Sequence, residues 1–140
     1  MTDADHLPFI REAIALSQAA AAQGDEPFGA LLVHAGRVIL RAENSVHSGH
    51  DITQHAEMNL VRQAVAQFPR DVLEACTLYT STEPCAMCAG AIYWSRIGRV
   101  VFACSELRLR EIPGGSGLRL ACREVFARGG RVVEVAGPLL

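Results

Sequence analysis

The sequence predicts an α/β fold, a three-layer α/β/α sandwich in which a five-stranded mixed sheet lies between helices. Two observations predict it. Segments of helical and strand periodicity alternate in the order αββαβαβαβ, a hairpin followed by strands that each return through a helix. The chain has 140 residues, half of them apolar. That suffices for one substantial core and leaves no room for a second, so residues 1–140 read as a single domain.

The elements follow in order. Ile10, Ala13, Ile14, Leu16 and Ser17 recur at helical spacing, and Gly24 marks the end of that helix. Gly29 to Val33 is a short apolar strand, His34-Ala35-Gly36-Arg37 a hairpin turn, and Val38 to Glu43 the return strand. The loop from Asn44 to Ile52 is polar. Thr53 then offers a side-chain oxygen to cap a helix whose apolar face carries Met58, Leu60, Val61, Ala64 and Val65, and Pro69 ends it. Thr77 to Thr80 reads as a buried strand. Pro84 suits the opening turn of the next helix, which runs from near Cys85 to Ser95. Arg99 to Ala103 is a strand of the buried parallel type, Pro113-Gly114-Gly115-Ser116-Gly117 a flexible loop, Leu118 to Ala127 a helix and Arg131 to Ala136 the last strand. There is no internal repeat or low-complexity linker.

The chemistry concentrates in two short segments, His55-Ala56-Glu57 and Pro84-Cys85-Ala86-Met87-Cys88. One imidazole and two thiols are three soft or borderline ligands, and Glu57 is a carboxylate that need not be a fourth. Structural zinc takes four protein ligands, whereas catalytic zinc takes three and leaves a position for water. A helix start favours the thiolate form of Cys85 and Cys88 that a metal requires. His55 and Glu57, two residues apart, point in different directions, so one can hold a metal while the other faces what the metal binds; Glu57 is the candidate proton carrier. Two other readings stay open. Cys85 and Cys88 are spaced as a redox pair, and His47, His50 or Cys104 would close a structural site as fourth ligand. The coincidence of the His-x-Glu segment favours the open metal site. Cys76, Cys104 and Cys122 sit in apolar runs and read as core residues.

Charge and composition exclude much else. All thirteen basic residues are arginine, so Schiff-base, P-loop and Ser-Lys chemistry, each of which needs a lysine amine, are absent. Net charge is −2: residues 1–95 carry five arginines and eleven acids, residues 96–140 eight arginines and four acids. The basic end reads as a solvated face, and the acidic balance disfavours nucleic acid as a partner. Five cysteines, an odd number, suit a reducing compartment. No secretory leader and no bilayer-length apolar run is visible, so the expected location is cytoplasmic and away from membranes.

Longer segments around these residues carry a family resemblance. Glu26-Pro27-Phe28-Gly29-Ala30, Asn44, His55-Ala56-Glu57 and the run from Leu78 to Ile92, with Thr82-Glu83-Pro84-Cys85-Ala86-Met87-Cys88 at its centre, resemble the cytidine deaminase-like zinc hydrolases. The resembling branch includes tRNA adenosine deaminases, guanine deaminases and fungal-type cytosine deaminases. The resemblance implies the cytidine deaminase-like fold and one Zn²⁺ per subunit, held by His55, Cys85 and Cys88 with water as the remaining ligand. It also implies Glu57 as the catalytic proton carrier, Asn44 reading the base edge, Phe28 walling the ring, and the Ala56 and Cys85 amides orienting the substrate. Trp94, within Gly90-Ala91-Ile92-Tyr93-Trp94-Ser95, resembles the guanine deaminases, in which a tryptophan lines the pocket. A homodimer is implied too, with Ile92, Tyr93 and Trp94 as a contributing face.

The substrate follows from smaller differences. Phe28 favours the free-base enzymes, since the tRNA enzymes tend to carry a smaller aliphatic residue there, whereas Ser95 to Phe102 resembles the tRNA enzymes. The acidic balance, and a chain ending at Gly137-Pro138-Leu139-Leu140 just after its last strand, lead to the expectation of a small, relatively open pocket. The favoured activity is hydrolytic deamination of a free nucleobase or related amino-heterocycle of guanine, cytosine, isocytosine or aminotriazine type. The alternative is adenosine-to-inosine deamination of tRNA. A catalytically silent zinc-binding interaction module is a third reading, which Glu57 opposes.

Overall fold

The computed structural model describes residues 1–111 and 117–140. The chain begins with α1 (Asp3–Ala22), whose first turn is closed by Asp5: its carboxylate accepts the Thr2 N–H at 2.8 Å and the Thr2 hydroxyl at 3.1 Å. His6, Ile10, Ala13, Ser17 and Ala20 form its buried face. Strands β1 (Gly29–His34) and β2 (Arg37–Glu43) make the expected hairpin, with Ala35 and Gly36 both left-handed at φ 50° and 77°, the primed turn that matches strand twist. Next come α2 (Val46–Gly49), α3 (Ala56–Gln67), α4 (Arg70–Glu74) and β3 (Thr77–Thr82). The remainder is α5 (Ala86–Ser95), β4 (Arg99–Cys104), α6 (Glu106–Leu109), α7 (Cys122–Ala127) and β5 (Glu134–Ala136).

The sheet order is β2-β1-β3-β4-β5, antiparallel between β2, β1 and β3 and parallel between β3, β4 and β5. The three central strands are buried on both faces, and their side chains alternate between two cores. Leu31, Val33, Tyr79, Val101 and Ala103 pack with Ile10 and Ala13 of α1. Ala30, Leu32, Leu78, Val100 and Phe102 pack with Leu60 and Ala64 of α3, Ala89 and Ile92 of α5 and Phe126 of α7. This is the expected three-layer sandwich. Gly29 makes the α1 side possible: a Cβ there would lie 2.5 Å from Leu16 Cβ and 2.6 Å from the Ala13 carbonyl, so helix and strand touch through their backbones.

Register gathers several chain segments at one end of the sheet. Ala30 pairs with Thr80 across an antiparallel ladder, which brings the residue before β1, Phe28, level with the end of β3. Gly29 pairs with Glu43, so Asn44 follows directly, its N–H donating to the Phe28 carbonyl at 3.1 Å. Ligand sites of α/β sheets lie outside the carboxyl ends of parallel strands, and β3 delivers Glu83, Pro84 and Cys85 at such an end.

Four expectations are corrected. Helix α3 is capped by His55, not Thr53, because Asp51 accepts both the N–H of Thr53 at 2.8 Å and its hydroxyl at 2.6 Å and holds it in the preceding turn. The polar loop and the stretch after Pro69 each contain a helix, α2 and α4, too short to show periodicity. The helix expected from Leu118 starts only at Cys122, whose N–H is taken by the Glu83 carboxylate. The last strand is shorter than expected, since the Arg131 guanidinium turns aside to cap the end of α5, donating to the Ile92, Tyr93 and Ile97 carbonyls at 2.6–3.1 Å. Of the loop read at Pro113–Gly117, residues 113–116 lie outside the described residues. No described helix is long and apolar enough to cross a membrane.

Candidate metal and substrate site

Two helix starts meet at the site. His55 is the N-cap of α3 and Cys85 the N-cap of α5, both with extended backbone, and Cys88 lies one turn into α5. His55 Nδ1 is 3.6 Å from Cys85 Sγ and 3.5 Å from Cys88 Sγ, and the three donor atoms lie within 4.8 Å of one another. A tetrahedral zinc with Zn–S of about 2.3 Å and Zn–N of about 2.0–2.1 Å separates its nitrogen and sulfur ligands by about 3.6 Å. The two nitrogen–sulfur edges therefore match that ion. No other group of three such donors occurs among the described residues. His47 faces Glu26 at 3.7 Å, and the half-buried Cys104 points its thiol at the Ser105 carbonyl, so neither completes a closed four-ligand set. His50 is the left-handed cap of α2. Cys85 and Cys88 are free thiols, and Cys76 and Cys122 are buried.

The donor chemistry agrees with a cation. Hydrogen bonds from Cys88 and then His55 pull the Cys85 thiol down to about 4, while the same bond to Cys85, with burial, pushes Cys88 up. His55 is raised by its bond to Cys85. Cys85 and Cys88 as thiolates and His55 as a neutral imidazole would hold a divalent ion there.

Glu57, the second residue of α3, is 6% exposed, and burial pushes its carboxyl up to about 7. Ala56, between it and His55, is fully buried. Asn44 is 1% exposed; its Oδ1 accepts the Val46 N–H at 3.0 Å, whereas its Nδ2 has no partner among the described residues. A buried donor left unpaired is expensive and calls for an explanation.

A cavity of about 420 Å³ opens on this chemistry, within the range of small-ligand sites. His55, Glu57, Cys85 and Phe28 line it, joined by Glu26, Thr82, Glu83, Glu106, Leu109, Arg110 and residues 117–119. Of the other residues named from the sequence, Cys88, Asn44 and Ala56 are buried and not part of the lining, and Trp94 lies apart from it altogether. It stands 80% exposed with its ring edge-on to Tyr93, outside the lining of this cavity, because its place on α5 turns it away from the sheet. Sequence reasoning missed the wall made by 106–110 and 117–119. Helix α6 has only four residues and 117–119 lie outside any helix or strand, so neither gives a periodic signal.

Comparison with known proteins extends this geometry. The sequence pattern of the cytidine and deoxycytidylate deaminase zinc-binding region matches residues 3–104. A probable cytosine deaminase of Schizosaccharomyces pombe is 44% identical over 139 residues, 96% of this chain and 84% of that protein. A tRNA-specific adenosine deaminase of Aquifex aeolicus is 39% identical over 95 residues, 68% of this chain and 63% of its own length. Among solved structures, a guanine deaminase from Nitrosomonas europaea superimposes with a TM-score of 0.74 at 27% identity, over 94% of this chain and 75% of that one.

Proposed function

The chain belongs to the cytidine and deoxycytidylate deaminase zinc-binding family, and on that premise we propose that it hydrolytically deaminates a free nucleobase or related amino-heterocycle of guanine, cytosine, isocytosine or aminotriazine type, releasing ammonia. The observation that carries the proposal is that one cavity of about 420 Å³ is lined by His55 and Cys85 of the His/Cys/Cys group together with the buried carboxyl of Glu57. The 44% identity to a probable cytosine deaminase over nearly the whole chain supports a small substrate.

His55, Cys85 and Cys88 would hold the ion. When bound, zinc supplies Lewis-acid activation of a water. Glu57 accepts the proton that water loses, delivers it to a ring nitrogen, and then assists departure of the amine; a carboxyl held near neutrality by burial can do both. Asn44 donates its unpaired Nδ2 hydrogens to an acceptor on the base edge, which accounts for an otherwise unsatisfied buried amide. Phe28 walls the ring, and the Ala56 amide at the start of α3 orients it. The protein acts as a cytoplasmic homodimer, and Trp94 enters either the subunit contact or a neighbouring pocket through it.

A second reading, tRNA adenosine deamination, has support of its own in the 39% identity to a tRNA-specific enzyme. Ammonia release from guanine, cytosine, isocytosine, aminotriazines and an adenosine-containing anticodon stem-loop separates the two. Turnover of a free base is expected. Release from the stem-loop alone reverses the assignment, and release from none leaves a silent zinc module.

A further inference from the structure

Glu83 lines the cavity but belongs to neither the donor triangle nor the proton relay. It is 8% exposed, and each of its carboxylate oxygens accepts one backbone N–H: Oε1 that of Glu106 at 2.9 Å, Oε2 that of Cys122 at 2.8 Å. Those amides open α6 and α7, and amides at helix starts have no partner within their own helix. One side chain therefore satisfies two helix starts sixteen positions apart in sequence. Bonds to a charged acceptor are roughly twice as strong as neutral ones. Its own N–H donates to the Cys104 carbonyl at 2.7 Å, which fixes Glu83 to the end of β4. The residues that follow the two amide contacts or precede them, Glu106, Leu109, Arg110, Leu118 and Arg119, make one wall of the cavity.

We propose that Glu83 is a positioning residue: by tying the first amides of α6 and α7 to the end of β3, directly before Pro84 and Cys85, its carboxylate holds the 106–110 and 117–119 wall at the distance from the metal triangle that admits a heterocycle. The inference rests on the reading of this cavity as the substrate site. It assigns Glu83 to affinity and fit, not to metal retention or proton transfer. Glutamine in its place keeps one acceptor but turns an NH₂ group toward the other N–H, and aspartate is one methylene too short to span both amides.

The test uses full-length, zinc-loaded protein. In Glu83→Gln, hydrogen exchange at the Glu106 and Cys122 amides should speed about tenfold or more, with amides of β3 and β4 unchanged and zinc content equal to wild type. With guanine or cytosine, whichever turns over faster, KM should rise about tenfold while kcat stays within about threefold. Unchanged exchange at both amides overturns the proposal whatever the activity. So does exchange that speeds equally throughout the sheet, or a fall in kcat at constant KM. If guanine, cytosine, isocytosine and aminotriazines are all inert, the free-base assignment fails, while exchange still decides the clamp. Should Glu83→Gln not fold, Glu106→Pro removes the donor instead; proline is tolerated at a first helical position, and Ser105 before it is already extended. Glu106→Ala, which loses the same side chain but keeps the N–H, is its control. Faster exchange of the Leu109 and Arg110 amides in the proline variant than in the alanine variant supports the clamp, and equal exchange overturns it.

Discussion

Replacing Asn44 by alanine should uncouple stability from activity. The side chain is 1% exposed, with one hydrogen bond, from the Val46 N–H to Oδ1 at 3.0 Å, and an Nδ2 that finds no partner among the described residues. An unpaired buried polar group costs about 1–3 kcal/mol, and a satisfied hydrogen bond contributes about 0.5–1.5 kcal/mol. Alanine removes both, so the two changes offset to within about 2 kcal/mol, and Tm should move by no more than about 8 °C for a domain of this size. Activity should respond quite differently. If Nδ2 holds the base edge, its loss lowers kcat/KM by about 10²–10³, the usual effect of deleting one well-placed donor. Ammonia release and thermal melting of the same preparation read the two quantities, and saturating base should raise the Tm of wild type more than that of the variant. Activity within about threefold of wild type, together with a Tm lowered by well over 8 °C, would instead make Asn44 a structural residue of the loop before α2.

Glu57→Ala should keep its zinc, since the carboxyl stands outside the donor triangle, and lose turnover by about 10²–10⁴; metal analysis showing an empty protein would instead make Glu57 a ligand. Trp94 is the sole tryptophan and is 80% exposed in the isolated chain, so its fluorescence should be that of a solvated indole at high dilution and shift to the blue as protein concentration rises. Emission independent of concentration, with a dimer seen by sedimentation, would place the subunit contact elsewhere. His6 is buried with its Nδ1 2.7 Å from the Tyr79 hydroxyl, and burial, aided by Arg99, lowers its pKa below 6.5 against the opposing pull of Asp3 and Asp5. Below pH 6.5 the unfolded chain then binds a proton that the folded one does not, so stability present above that pH is lost as pH falls toward the folded value, at no more than about 1.4 kcal/mol per pH unit. Urea melts between pH 7.5 and 5.5 should show this slope flattened in His6→Gln; an equal slope in both proteins would assign it to other groups.

The fold was legible where burial is two-sided and long. The apolar runs of β1, β3 and β4 and the turn at Ala35-Gly36 stand out because both faces of those strands are covered and the turn needs two left-handed residues. Boundaries failed where side chains outside an element take over its backbone groups or its capping residue. Asp51 withholds Thr53 from α3, Glu83 delays α7 to Cys122, and Arg131 leaves the sheet edge for the end of α5. The Asp51 case is local, an Asp accepting from the residue two positions on that competes with Thr53 as a cap, whereas the partners of Glu83 and Arg131 lie on other elements and leave no local signature.

The site divides along the same line. Sequence alone determined which atoms are available for the chemistry: an imidazole, two thiols a helical turn apart and a carboxyl two residues from the imidazole, in a chain without lysine. Residue identity decides what can bind a soft cation or carry a proton, and identity is written locally. Packing of the folded chain is what brings Nδ1 of His55 and Sγ of Cys85, thirty positions apart, to 3.6 Å, leaves Asn44 with an amide unpaired among the described residues, and turns Trp94 outward. Strand register and the convergence of two helix starts set those positions, and both arise from contacts between segments far apart along the chain.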